Sequence, residues 1–225
     1  MDTDRPNDAV LEPVDRESTP SIIARKLRKA ISSGKFAQGR QLIEADLARE
    51  LRTSRGPLRE AMQRLTQEGL LISVRNRGLF VTTLTDDDVR DVYFARMAIE
   101  RAAAHRVMAT GPAPQALAAM RARLDELEAA DGDPAAAASA DFRFHEQLVE
   151  LAGSPRLSRM HATLMTETQM CLSALADSYQ RAPGDRLTEH KALLAAITAG
   201  DKTTLEELLA AHADDALRRL GHGSG

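Results

Sequence analysis

Tryptophan is absent from this 225-residue chain, aromatic residues make up only 3% of it, and cysteine occurs once. A single thiol, Cys171, excludes an internal disulfide framework and fits a reducing compartment. No apolar run approaches the roughly 20 residues needed to cross a bilayer. The first residues, MDTDRPNDAVLEPVDREST, are polar and acidic, the reverse of a secretory leader. A cytoplasmic protein with no membrane partner is therefore expected. With so few aromatics the core has to be aliphatic, and a chain dominated by Ala, Leu, Arg and Glu favours helices.

The charge that is present is unevenly spread. Between Pro20 and Leu84 there are 13 Lys/Arg against 5 Asp/Glu, a balance of +8. The formal net charge is -3, so the remaining residues carry -3 - 8 = -11. A basic block on an acidic molecule points to a module that binds a polyanion, joined to something else.

Residues 1–18 lack periodicity and read as a flexible tail. Ser21 to Ser33 reads as a helix, with Ile22, Ile23, Leu27, Ala30 and Ile31 on one stripe. Ile43 to Leu51 reads as a second helix. Thr53 or Ser54 is placed to cap a third, which runs to about Glu68 and carries Pro57 in its first turn. Leu70–Val74 and Leu79–Thr83 read as strands around a glycine-containing turn. Three helices and a β-hairpin over residues 19–84 predict a winged helix-turn-helix, in which the third helix enters the major groove and the hairpin reaches beside it. That arrangement explains why arginine gathers at the start of the third helix and at the hairpin tip. Those are the parts nearest DNA, and a guanidinium suits bidentate contact with guanine or phosphate.

Thr85 followed by three aspartates is a strong helix start, a hydroxyl cap with acids against the positive end of the dipole. Helices are predicted from there to about Ala109 and then over 113–130, 134–152, 155–181, 186–199 and 201–220. No strand pattern follows residue 84. The expected fold class is mainly α: a winged helix-turn-helix followed, over 85–221, by an all-α bundle of six to seven helices. Within it Asp141 and His145 are four residues apart, hence on one helix face about 6 Å from each other. A bare carboxylate is poorly placed on a face otherwise lined by Ala138 and Leu148.

The stretch from Leu42 to Val81 resembles the DNA-binding domain of the GntR family of bacterial transcription regulators. The residues that carry the likeness are Leu42-Ile43-Glu44 with Leu47-Ala48, then TSRGPLREAMQRLTQEGLL, then Arg77-Gly78-Leu79-Phe80-Val81. The helical part is similar to the FCD effector domain of the FadR subfamily, through Arg96/Glu100 and Asp141/His145. There are departures. Arg52 stands where the family usually has glycine, at a cost in turn stability or as an added phosphate contact. Thr53 replaces a common valine, Gln38 a frequent proline and Ser154 a usual asparagine.

The resemblance implies that Arg55 and Arg59 contact bases or phosphates, that Thr53 and Ser54 touch the backbone, and that Arg75, Arg77 and Gly78 form the wing contact. For Arg59 the alternative is a surface ion pair among its Glu60 and Gln63 neighbours. Metal-binding FCD members have an Asp-x-x-x-His pair followed by two histidines at similar separation, which here gives Asp141, His145, His190 and His212. Three imidazoles and a carboxylate suit a divalent metal, zinc first, with nickel or manganese also possible. His105 and His161 lack matching partners, and His222 falls in the tail. Arg96 either holds an effector carboxylate beside the metal or makes an ordinary helix pair with Glu100.

The implied function is a metal-containing transcription regulator, a repressor, acting as a homodimer on near-palindromic operator DNA and responding to a small carboxylate. Two alternatives stand beside it. In one the metal is purely structural. In the other the metal activates water for hydrolysis, against which the sequence offers no nearby general base and no H-E-x-x-H.

Overall fold

The computed structural model describes residues 17–130, 132–174 and 183–220. The tail over 1–16, Asp131 in the predicted break, the predicted helix end over 175–181 and His222 lie outside the described residues.

The first helix, α1 (Thr19–Ser32), opens on Ser18, whose Oγ accepts from Ser21 N at 3.3 Å, and buries Ile23, Ala24, Leu27 and Ile31. After it come β1 (Gln41–Leu42), α2 (Glu44–Glu50) and α3 (Arg55–Gln67), then β2 (Leu71–Val74) and β3 (Gly78–Val81). The stripe Leu58, Ala61, Met62 and Leu65 of α3 is buried against α1, Leu70, Leu71 and Val81. Complete burial of a side chain such as Leu58 or Leu65 contributes about 1.5–3 kcal/mol. The predicted hairpin is part of a three-stranded antiparallel sheet in the order β1-β3-β2. The added strand pairs Gln41 with Phe80 and Leu42 with Leu79. Two residues are too short to show an alternating pattern, so β1 leaves no periodic signal in the sequence.

Two local details bear on the expected cap and turn. Ser54 occupies the cap position of α3 in extended conformation, but its side chain makes no capping hydrogen bond. Arg52, just past the end of α2, has φ +49°, the left-handed region that glycine enters without penalty. For a residue with a Cβ this costs on the order of 1 kcal/mol, so the loss of turn stability is realised here.

The long α4 (Asp86–Thr110) starts with a reciprocal cap. Asp88 N donates to Thr85 Oγ1 at 3.2 Å, and Thr85 N donates to Asp88 Oδ2 at 2.8 Å. Then come α5 (Pro114–Ala129), α6 (Pro134–Leu151), α7 (Pro155–Ala174), α8 (Pro183–Ala199) and α9 (Lys202–Arg219). No strand follows Val81 among the described residues. α8 begins at Pro183 rather than at 186, because proline is well suited to the first turn of a helix. Within the helical body α4 lies against α6, α7, α8 and α9. It is therefore buried on several sides, and the buried set includes Arg96 and Glu100 as well as Tyr93, Met97, Ile99 and Ala103. The body's main core gathers around Phe144, Leu148, Leu193, Leu205 and Leu209.

Candidate functional site

Four side chains from three helices converge inside the body. Asp141 and His145 come from α6, His190 from α8 and His212 from α9. Asp133 fixes the start of α6 by accepting from Ala135 N at 3.0 Å and Ala136 N at 3.1 Å. His145 and His190 are fully buried, and Asp141 and His212 nearly so. One donor atom from each of the four lies within 4.8 Å of every other. The three imidazole centroids are each 5.0 Å from the other two. Phe144 sets an edge against His190 at 4.6 Å between centroids, which fills the space behind the rings.

The outward hydrogen bonds decide which ring nitrogen faces inward. His190 Nδ1 is 2.7 Å from the carbonyl of Arg186, which can only accept, so Nδ1–H donates. His145 Nδ1 donates to Glu100 Oε2 at 2.8 Å, and His212 Nδ1 donates to Glu189 Oε2 at 2.9 Å. In the neutral imidazole each Nε2 then carries a lone pair and no proton. Two of these lone pairs, on His145 and His190, stand 3.1 Å apart. Asp141 Oδ1 lies 3.2 Å from His190 Nε2 and receives no hydrogen bond. Four acceptors facing one another without a donor repel, and a cation among them removes the repulsion. The residues present fit a divalent metal.

Electrostatics agree with this. Burial pushes the pKa of His145 down to about 3, and the charge of Arg96 adds to the effect, so the ring is neutral at pH 7 as a ligand must be. Burial alone would raise Asp141, but its place beside His190, with His145 and His212 near and the Arg186 guanidinium 4.0 Å from Oδ1, holds it well below the ordinary carboxylate range. It is therefore ionised.

Arg96 does pair with Glu100, its Nε donating to Oε1 at 2.6 Å, with both side chains buried. Burial opposes both charges. Arg96 nonetheless holds the Glu100 pKa well down, and Glu100 with Tyr93 and Asp141 holds that of Arg96 up. Glu100 also accepts from His161 Nε2 at 2.9 Å, so one carboxylate ties together α4, α6 and α7. Arg96 Nη2 is buried with no hydrogen-bond partner. The same residue lines a small cavity with Tyr93, Asp141, Arg186, His212 and Asp215. Its volume, about 10 Å³, is close to the minimum for one water.

On the other side of the molecule Ser54, Arg55, Arg59, Arg75, Arg77 and Gly78 are exposed and Thr53 is half-buried. Arg59 is in an ion pair, though with Glu44 of α2 at 2.7 Å rather than with Glu60, which pairs with Arg64. Arg59, Glu44, Gln63, Ser73 and Leu79 line one groove of about 390 Å³ between α3 and the wing strands. Gly78 has φ +100°, and a Cβ there would come 3.2 Å from Gln41 Nε2. That amide donates to the carbonyl of Arg77, so the glycine lets β1 brace the wing. The Arg77 guanidinium sits 5.5 Å from the centroid of the Phe80 ring.

Comparison with known families matches residues 21–81 to the gntR family of bacterial regulatory proteins and residues 91–215, more than half the chain, to the FCD domain. The chain belongs to the GntR family. It is a DNA-binding transcription regulator of the GntR/FCD type and not an enzyme. Over 130 residues, 56% of this chain and 76% of the relative, it is 36% identical to an uncharacterized HTH-type transcriptional regulator in the TAR-I ttuE-ttuC' intergenic region of Agrobacterium vitis. It is 28% identical over 221 residues, 97% of this chain and 96% of the other, to a probable D-xylose utilization operon transcriptional repressor of Paenarthrobacter nicotinovorans. A solved GntR regulator from Rhodococcus sp. RHA1 superposes with a TM-score of 0.77 at 28% identity, covering 93% of this chain and all of that one.

Around the four convergent side chains the GntR regulator has a supporting layer that the sequence reading passed over. His161 falls outside the cluster, as expected, yet it has a partner in Glu100 across 61 residues. Glu189 and Arg186 hold His212 and His190. Arg186 and His190 stand one turn apart, which the sequence could have suggested, but the contacts between helices have no local spacing to betray them. His105 instead joins Arg101 on Glu206, at the surface. A mild test follows from Glu189, which is partly exposed and orients His212. Glu189→Gln should weaken zinc affinity by about tenfold, the low end for such orienting groups, with the circular dichroism unchanged. Competition with a chromophoric chelator measures it, and an unaltered affinity would remove Glu189 from the centre.

Proposed function

We propose that this chain is a homodimeric, metal-containing repressor whose helical body senses a small organic acid at Asp141, His145, His190 and His212. One observation carries the reading: Asp141 and His212 of the buried cluster line a cavity together with Arg96, whose Nη2 has no hydrogen-bond partner. When bound, a divalent metal supplies positive charge and an open position for an anionic ligand. Arg96 then offers a second cationic contact to the same carboxylate, a geometry to which a guanidinium is well matched. Zinc suits the donor set, with nickel and manganese also compatible. The similarity to a probable repressor of D-xylose utilization supports the repressor reading.

The cavity has room for about one water, at about 10 Å³. An acid larger than water therefore binds a more open arrangement of the walls and shifts the population towards it, which is what an effector has to do. The same small volume favours a second reading, a metal that only braces the bundle.

At the DNA end, Arg55 and Arg59 read from α3, Thr53 and Ser54 touch the backbone, and Arg75, Arg77 and Gly78 make the wing contact. Arg59 has to exchange Glu44 for DNA, and an exposed pair of this kind is worth only about 0–1 kcal/mol. Two copies are needed because one winged helix reads few base pairs. The face offered to the second copy is on α4 and α7, which lie side by side. Phe94 is 76% exposed on α4 and Met160 is 57% exposed on α7. Ala98 and Ala102 are exposed on the stripe of Phe94. The stripe is centred on Ala98, so an antiparallel α4 would set Phe94 over the partner's Ala102. Phe94→Glu should convert the dimer to monomer in sedimentation velocity, and a persistent dimer would place the interface elsewhere.

The function itself is tested on zinc-loaded protein with duplexes from its own promoter region at fixed salt, titrated with small carboxylic and sugar acids. At least one acid should change DNA affinity about tenfold or more. Arg55→Ala should weaken binding roughly five- to 150-fold, the range for one bidentate base contact. If no acid alters DNA affinity while zinc still raises Tm, the bracing reading replaces the sensing one.

A further inference from the structure

The sensing site and the DNA-binding head are joined by α4, which follows the head directly in the chain, and by α7, which is held at each end. At its body end His161 is buried, and its Nε2 is 2.9 Å from Glu100 Oε1. The other oxygen of Glu100 accepts from His145. Nine residues further along, about 14 Å of helix, Met170 is 1% exposed and belongs to the head's core, among Leu27, Leu58 and Leu65. One turn beyond, Ser173 lies against Gly34 so closely that a Cβ there would come 3.3 Å from Ser173 Cβ. Gly34 has φ +72°, so neither the backbone nor the space tolerates a side chain.

The joint between head and body is made by Gln38. Its Nε2 donates to the carbonyl of Met170 at 3.2 Å. Its Oε1 accepts from the backbone N of Leu84 at 2.9 Å, just before α4 begins. One amide thus uses its donor on α7 and its acceptor on the segment that connects the head to α4. No aliphatic side chain of that size can make either bond.

We propose that α7 is the lever between the site and the head, pinned to Glu100 by His161 and clamped to the head by Gln38. A change that moves Glu100, as when an acid draws on Arg96, displaces His161 and with it the helix on which the head is seated. What is transmitted rests on the metal and effector reading above, whereas the lever and its clamp do not. A rigid element contacting both sites, with a discrete bond at each end, is the physical form such coupling takes.

Hydrogen–deuterium exchange on the full chain tests this. Gln38→Leu keeps the volume and removes both bonds. Exchange at Leu84 and over residues 33–40 should speed up about tenfold, as for the loss of one to two hydrogen bonds, with α6 and α8 unchanged. His161→Leu should speed up the same two segments from the far end of α7, which a purely local role would not do. Unchanged exchange at Leu84 in Gln38→Leu overturns the clamp. An effect of His161→Leu confined to α4 and the first half of α7 overturns the lever, and if that variant fails to fold, His161→Asn, whose shorter side chain also gives up the bond to Glu100, is measured in its place by the same criterion. Zinc added to the wild type addresses the other reading separately. No protection gained in α6, α8 and α9 counts against the metal centre, and the joint remains decided by the variants.

Discussion

Three imidazole lone pairs and a carboxylate oxygen, aimed at one another inside a bundle of helices, repel unless a positive charge lies among them. Each Nδ1 is committed outwards, to Glu100, the Arg186 carbonyl or Glu189, and this fixes the tautomers that turn every Nε2 inwards. Much of the body serves that constraint. Asp141 and His145 are one turn apart on α6, α8 and α9 each bring one ring, and Phe144 closes the space behind. A cation among these groups removes that repulsion and adds to the compensation that the buried Arg186, 4.0 Å from Asp141 Oδ1, gives the carboxylate.

Glu100 links that constraint to the rest of the chain. It is fully buried and accepts from Arg96, His145 and His161. Arg96 places a cation at the cavity, His145 reaches the centre and His161 reaches α7. The proposed effector contact, the candidate metal ligands and the connection to the head therefore meet at one carboxylate. The head has a simpler design, in which an aliphatic core positions α3 and the wing so that their arginines stay in solvent.

Much of this was legible because the relevant signals are local. Helical stripes such as Leu58, Met62 and Leu65, the Thr85 cap and the one-turn spacing of Asp141 and His145 are all written within a few residues. His190 and His212 are 45 and 67 residues beyond His145, and only the family pattern linked them to it. The supporting layer was not legible for the same reason, since Glu100 meets His145 and His161 across whole helices. β1 was too short to show a period. Arg52 illustrates a different limit. The sequence left a turn cost and a phosphate contact both open, and the turn cost shows only in its left-handed backbone, at φ +49°, at the exit of α2. Arg59 found Glu44 on a neighbouring helix rather than Glu60 beside it, because α2 and α3 pack against each other.

The central claim is that the buried cluster is completed by a cation. It is tested most directly by dialysing purified protein to equilibrium against buffered zinc, nickel or manganese and counting bound metal per chain by mass spectrometry. The account predicts one ion per chain, absent when Asp141, His145, His190 and His212 are replaced together. A wild-type chain that holds none of these metals, or a quadruple variant that holds as much as the wild type, would contradict it.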